Sequence, residues 1–267
     1  MHPDDLDMFV ARFGRRAILS FDDGYADNLI SALPVLERYQ QPATIFVTTG
    51  FVERRAVLLA RVAAAVARHG DWTRTSLTRL LDTRGLDASG VYKSLRDLLK
   101  RMTVAERAAH HDALMADYDI DTPTLTADYL DREQLHRLAR HDLVTIGAHT
   151  CTHPDLRYCS DDELDEELSG ARRTLESWLG QPVDTLAYPF GDTDQRVRRA
   201  AARAGYRTAY VTETSNWRSR IPGYGRLDIP RCDLSGEVRR MHRRDRKRAT
   251  RSQLEAQSAA ARQTRRR

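Results

Sequence analysis

Ala17-Ile18-Leu19-Ser20-Phe21-Asp22-Asp23-Gly24 begins with a short, largely apolar run and closes on two acids and a glycine, as a buried strand feeding a functional loop does. After it, from about Asp27 to Tyr39, Leu29, Ile30, Leu33, Leu36 and Tyr39 recur near helical spacing. Ala43-Thr44-Ile45-Phe46-Val47 then follows Pro42, is rich in strand formers and is closed by Gly50. Together these segments make one β-α-β unit. The alternation resumes far downstream. Leu143 to Gly147, Asp184 to Tyr188 and Tyr206 to Thr212 read as strands, and Asp194 to Ala204 as a helix. Another helix opens at Ser160 with early acids Asp161, Asp162 and Glu163, repeats Leu164, Leu168, Leu175, Trp178 and Leu179, and stops at Gly180 and Pro182. Strand-helix alternation of this kind predicts an α/β fold with a parallel sheet, open or closed into a barrel.

Between about Glu53 and Arg140 the alternation gives way to helical stretches: Ala56 to Arg68, Tyr92 to Met102, Val104 to Tyr118 and Arg132 to His141. No linker-like composition flanks them, so residues 53–140 are expected to be a helical insertion in one catalytic domain spanning 1–236. Residues 237–267 are expected to form a basic tail, partly helical or disordered. That tail carries twelve Lys and Arg against three acids, a net of +9, so the whole-chain charge of +5 leaves the preceding 236 residues at −4. The pI near 9.3 therefore describes the tail. It has no aromatic residue to stack on bases, which argues against dedicated nucleic-acid recognition and leaves only non-specific binding to polyanions. Hydrophobic residues at 41% and charged residues at 30% suit a globular chain of 267 residues. No run of 18 apolar residues and no basic-then-apolar leader is visible, so the expected location is cytoplasmic. Three cysteines, Cys151, Cys159 and Cys232, without a C-x-x-C pair suggest neither a disulfide framework nor a cysteine zinc site.

Two segments carry chemistry, and each follows a predicted strand: Ser20-Phe21-Asp22-Asp23-Gly24 and His149-Thr150-Cys151-Thr152-His153. In parallel α/β folds, loops at the carboxyl ends of strands meet even when distant in sequence. Two imidazoles and one carboxylate form a divalent-metal shell with a position left open, and a second carboxylate can serve as base. Histidines at i and i+4 converge if their segment forms a helical turn. Cys151 would then point away from that face. Each segment alone has a plainer reading, as a turn or helix cap for Asp-Asp-Gly and as surface histidines for His-x3-His. Their joint placement at strand ends favours the metal site.

Phe21-Asp22-Asp23-Gly24, Pro42-Ala43-Thr44-Ile45-Phe46-Val47, His149-Thr150-Cys151-Thr152-His153 and Tyr188-Pro189-Phe190-Gly191 resemble, in order, the motifs of the polysaccharide deacetylase family (NodB-homology, carbohydrate esterase family 4). The resemblance covers about residues 15–52 and 140–232. It implies a distorted (β/α) barrel of about seven strands and metal-dependent hydrolysis of N-acetyl groups on amino sugars, with a divalent ion, Zn2+ foremost, as cofactor and an N-acetylated glycan as substrate. Carried over, Asp22 matches the base, Asp23, His149 and His153 match the metal ligands, and the Phe190 backbone N–H matches the oxyanion donor.

The chain departs from the pattern at three places. The usual arginine before the motif-three proline is Ala187, and Pro230-Arg231 resembles a later Pro-Arg that replaces it, which makes Arg231 the candidate partner of Asp22. The Asp-x-x-Asp-Trp motif survives at most as Asn216-Trp217. The terminal Leu-x-His has no clear counterpart, since the only histidine after His153 is His242 in the tail. These gaps keep other functions in view: an O-acetyl esterase, a ring-amide hydrolase, or a glycan-binding protein without turnover. In the insertion, Trp72, Tyr92, Tyr118 and Tyr129 are available either for sugar stacking or for core packing.

Overall fold

A computed structural model describes residues 3–13, 18–212 and 226–231. Strands β1 (Leu19–Phe21), β2 (Ala43–Val47), β3 (Val144–Ala148), β4 (Thr185–Ala187), β5 (Thr208–Thr212) and β6 (Ile229–Arg231) form one sheet in chain order. Every pairing is parallel. The resemblance implies about seven strands, and six lie among the described residues. Because successive strands are neighbours throughout, the sheet winds in one direction and curls until its two edges approach. Arg231 on β6 donates to the hydroxyl of Ser20 on β1 at 2.9 Å. The result is a distorted (β/α) barrel whose seam is bridged by side chains.

Small and large residues alternate to fill the curl. A Cβ on Gly147 would lie 2.5 Å from the Phe46 ring, so glycine is what lets that ring occupy the interior beside Tyr210, 5.5 Å away. Outside the sheet, Ile45, Ile146, Leu168, Leu175, Leu186 and Val197 join one continuous buried cluster with the flanking helices. Each such side chain contributes about 1.5–3 kcal/mol by leaving water.

The expected helix from Asp27 is a π-helical turn, Asn28–Ala32, running into Leu33–Tyr39. The helix predicted after Ser160 has its capping box, with the Ser160 hydroxyl accepting from Glu163 N–H and the Glu163 carboxylate accepting from Ser160 N–H. It is not uniform: Asp161–Asp165 and Ala171–Leu179 are separated by a π-helical turn, Glu166–Gly170.

The central insertion contains Leu59–His69, Ala88–Lys100 and Val104–Asp117, which surround their own cluster of Val62, Val66, Leu77, Leu95, Leu99 and Leu114. Trp72, Tyr92 and Tyr118 pack against or within that cluster, and Tyr129 is 1% exposed, stacked between Tyr25 and Phe51. Packing is thus the observed role of all four aromatics. The insertion is stitched to the strand-end loops: Leu130 N–H donates to Gly24 C=O, and Ala26 N–H to Asp128 C=O.

Candidate active site

All strands run the same way, so the residues that follow them gather at one rim. Asp22 and Asp23 follow β1, His149 follows β3, Phe190 lies beyond β4, and Arg231 is the last residue of β6. Asp23 Oδ1 lies 3.5 Å from His149 Nε2 and 3.4 Å from His153 Nε2. One ligand atom from each of the three residues falls within 4.8 Å of the others.

The histidines do not converge through a helical turn. Residues 149–153 form an irregular loop in which Thr150 (φ 69°) and His153 (φ 59°) are left-handed. A β-branched residue in that region is strained, and the surroundings must hold it there. Thr150 repays part of the cost, because its hydroxyl accepts from His153 N–H at 3.0 Å. Asp23 (φ 71°) and Phe190 (φ 62°) are left-handed too, so the rim concentrates unusual backbone where function is expected. Gly191 follows Phe190 at φ 74°, and a Cβ there would lie 2.3 Å from the backbone nitrogen of Thr212.

The donor set fits a cation. His149 Nδ1 is 2.8 Å from Ala187 C=O, which accepts only if Nδ1 carries the proton, so His149 Nε2 presents a lone pair. Burial, with the Arg107 charge adding to it, holds His153 well below the usual histidine range and therefore neutral. Asp23 Oδ1 is buried and has no hydrogen-bond partner among the described residues. Lone pairs of three acceptors facing one point repel each other unless a cation lies between them.

The neighbouring carboxylate is held differently. Arg231 grips Asp22 with two parallel bonds, Nη1 to Oδ1 at 2.7 Å and Nη2 to Oδ2 at 2.6 Å. Burial raises the Asp22 pKa, but the electrostatics of its neighbours, the charge and hydrogen bonds of Arg231 among them, outweigh it and leave the group below the usual carboxylate range. For Asp23, burial dominates and the Asp22 charge adds to it, so its pKa is raised. Two adjacent carboxylates thus sit in environments that push them apart.

Cys151 faces away from the cluster, but not for the helical reason expected. Its Sγ lies 3.3 Å from Glu166 C=O, and burial with the nearby Glu167 charge pushes the thiol up to about 12, unsuited to a ligand or nucleophile. Phe190 packs edge-on to the His153 ring at 4.9 Å, with Lys100 Nζ 4.4 Å from its face. Lys100 also pairs with Asp192 at 2.7 Å. Asn216, Trp217, Cys232, His242 and the 237–267 tail lie outside the described residues.

Residues 12–209, well over half of the chain, match the family model for polysaccharide deacetylase. The chain belongs to the polysaccharide deacetylase family. Among curated relatives of this deacetylase family it is 20% identical to YxkH of Bacillus subtilis (strain 168) over 196 residues, 73% of this chain and 44% of that protein. It is also 37% identical to chitin deacetylase 1 of Cryptococcus neoformans over 60 residues, 22% of this chain and 13% of that protein. The chain therefore spans less than half the length of these relatives. Among solved structures, BA0330 of Bacillus anthracis aligns with a TM-score of 0.50 at 16% identity, over 86% of this chain and 56% of that one. That likeness bears on the fold. No helix among the described residues is long and apolar enough to cross a membrane.

Two buried polar residues beside the site escaped the motif reading. Arg107 is 7% exposed and Glu167 2% exposed, and both bind the 150–153 loop. Their signal lies in the periodicity. Arg107 falls on the buried stripe of its helix, in the 3-4 spacing of Val104, Arg107, His111, Leu114 and Tyr118, and Glu167 falls three residues after Leu164 and four before Ala171. A charge on an apolar face points to a partner it must satisfy.

Proposed function

We propose that the chain is a metal-dependent hydrolase that removes N-acetyl groups from an amino-sugar glycan, with Asp23, His149 and His153 holding a divalent ion, Zn2+ foremost. The observation that carries this reading is the convergence of three buried acceptors beside an independently held carboxylate, Asp22. When bound, the ion supplies Lewis-acid polarisation of the acetyl carbonyl and acidifies water. Asp22 takes the proton of the attacking water, and Arg231 fixes both carboxylate oxygens so that the base keeps one orientation. The Phe190 N–H, set by that residue's left-handed backbone, donates to the oxyanion that develops on the carbonyl oxygen. Breakdown of the tetrahedral carbon cleaves its bond to nitrogen, with the proton taken up by Asp22 passing to the departing nitrogen, and releases acetate and the amine. Arg231 thereby takes the part left open by Ala187, whose own backbone carbonyl orients His149. Residues 1–236 act as one catalytic unit, with 237–267 as an appendage.

Acetate release from N-acetylglucosamine oligomers, measured with and without added Zn2+, tests the reading. Asp22→Asn is expected to abolish release, by about 10²–10⁴-fold, while metal content stays at the wild-type level. Arg231→Met is expected to cost about 10²-fold with metal retained. No release with any divalent metal from N-acetylated glycans, alongside turnover of an O-acetylated glycan, would move the assignment to an esterase. No turnover of either substrate would reject both acetyl-removing readings.

A further inference from the structure

The two histidines are held by different neighbours. His149 is continuous with β3, its N–H donates to Val47 C=O at 2.9 Å, and its C=O accepts from the Thr48 hydroxyl at 2.9 Å. His153 lies beyond the loop, past the last ladder bond. Its carbonyl accepts from Arg107 Nη1 at 3.1 Å, while Arg107 Nη2 donates to Thr152 C=O at 3.1 Å and to Thr152 Oγ1 at 2.8 Å. Since Thr152 Oγ1 accepts from Arg107, its own proton is free for Glu167 Oε1, 2.5 Å away. Glu167 Oε2 also accepts from the N–H groups of Cys151 and Thr152, each at 2.8 Å. Backbone N–H groups of Thr49 and Gly50 hold the first half of the loop, at the Thr150 and Cys151 carbonyls; in the second half Arg107 gathers the Thr152 and His153 carbonyls and Glu167 the Cys151 and Thr152 amides, with Thr152 as the shared hub.

Glu167 reaches the loop from the π-helical turn Glu166–Gly170, and such turns often mark sites where a helix has been adjusted to present a side chain. Arg107 comes from the insertion. Its helix is docked nearby by a second bond, Ala105 N–H to Glu163 Oε1 at 3.1 Å. Burying a guanidinium is costly unless its donors are matched, and here three of its contacts fall on two successive residues of the loop.

We propose that Arg107 is a positioning residue for the metal ligand His153, acting through the Arg107–Thr152–Glu167 clamp, so that the helical insertion is a component of the metal site. This rests on the metal-dependent reading above. The outer partners of metal ligands commonly control affinity by about 10–100-fold.

The test is the Zn2+ dissociation constant of the full chain, measured by competition with a chromogenic chelator. Arg107→Met is expected to weaken binding by about 10–100-fold, and Arg107→Lys, which keeps the charge but cannot fork onto both carbonyls, by less. Thr152→Val removes the hub with little change in volume and is expected to weaken binding even if Arg107→Met fails to fold. Leu95→Ala, inside the insertion and away from the loop, is expected to lower stability without changing affinity, which separates positioning from general destabilisation. Affinities of Arg107→Lys and Thr152→Val within twofold of wild type would overturn the proposal and leave the metal reading intact. A wild-type chain that binds no Zn2+ would remove both.

Discussion

His149 and His153 present their rings to one point, 4.8 Å apart between centroids, yet one is anchored by the sheet and the other by helices outside it. The sheet anchor uses mainly backbone ladders and the Ala187 carbonyl, which most strand-forming sequences provide, together with the Thr48 hydroxyl. The helical anchor uses a buried Arg and a buried Glu, which only these side chains provide. A metal site on a barrel rim can therefore be half generic and half particular to the chain. The particular half offers a route by which an insertion tunes the site without contributing a ligand.

The sharpest contrast comes from the insertion's interior. Leu95 is fully buried in its cluster, so Leu95→Ala is expected to cost about 2–5 kcal/mol of unfolding free energy. Denaturant melts would show the loss. Zn2+ affinity of the folded variant should hold, because the clamp touches the loop through Arg107 and not through the core. An affinity loss in step with stability would mean that the whole insertion, and not one arginine, secures His153.

The sheet side breaks differently. Gly147 lies two residues before His149, and a Cβ there meets the Phe46 ring at 2.5 Å and Thr185 at 2.8 Å. The Phe46 ring cannot swing aside, since Phe46 is 1% exposed. Gly147→Ala is expected to cost about 1–3 kcal/mol by overpacking and, unlike Leu95→Ala, to weaken Zn2+ binding as β3 shifts. A smaller stability loss with a larger affinity loss is the signature of the sheet anchor.

What could be read from the chain follows the same division. The strand-end motifs were legible because parallel strands bring their carboxyl ends together, which makes Asp22, Asp23, His149 and His153 neighbours by topology. Arg231 could be named as a partner for Asp22, but its bidentate grip depends on the curl that closes the seam between β6 and β1, and no local pattern records that. The i, i+4 spacing of His149 and His153 allows convergence through a helical turn, whereas left-handed Thr150 and His153 achieve it in a loop. Arg107 and Glu167 stood on apolar stripes all along. Periodicity shows that such charges are buried, but not what they bind.

The smallest expected effect is in pH. His111 shares the buried stripe of Arg107, and its Nε2 has no hydrogen-bond partner among the described residues. Burial first, and then the Arg107 charge, depress its pKa from 6.5 to about 4, with Asp112 opposing weakly. As pH falls through 6.5 the unfolded chain takes up this proton while the folded chain does not, so the unfolded state is favoured. The stability associated with neutral His111 is complete above about pH 6.5 and is lost progressively down to about pH 4, where the folded protein also protonates. Between pH 7 and 5.5 the share of the loss due to His111 is expected to be about 1 kcal/mol, read as a drop in urea midpoint that His111→Leu reduces by that amount, while His153, also held below the usual histidine range, accounts for a further part. An unchanged slope in His111→Leu would place the acid sensitivity elsewhere. A slope reduced by that share would show that the folded chain keeps His111 neutral, through its burial first and the Arg107 charge second, on the same helix that holds the His153 loop.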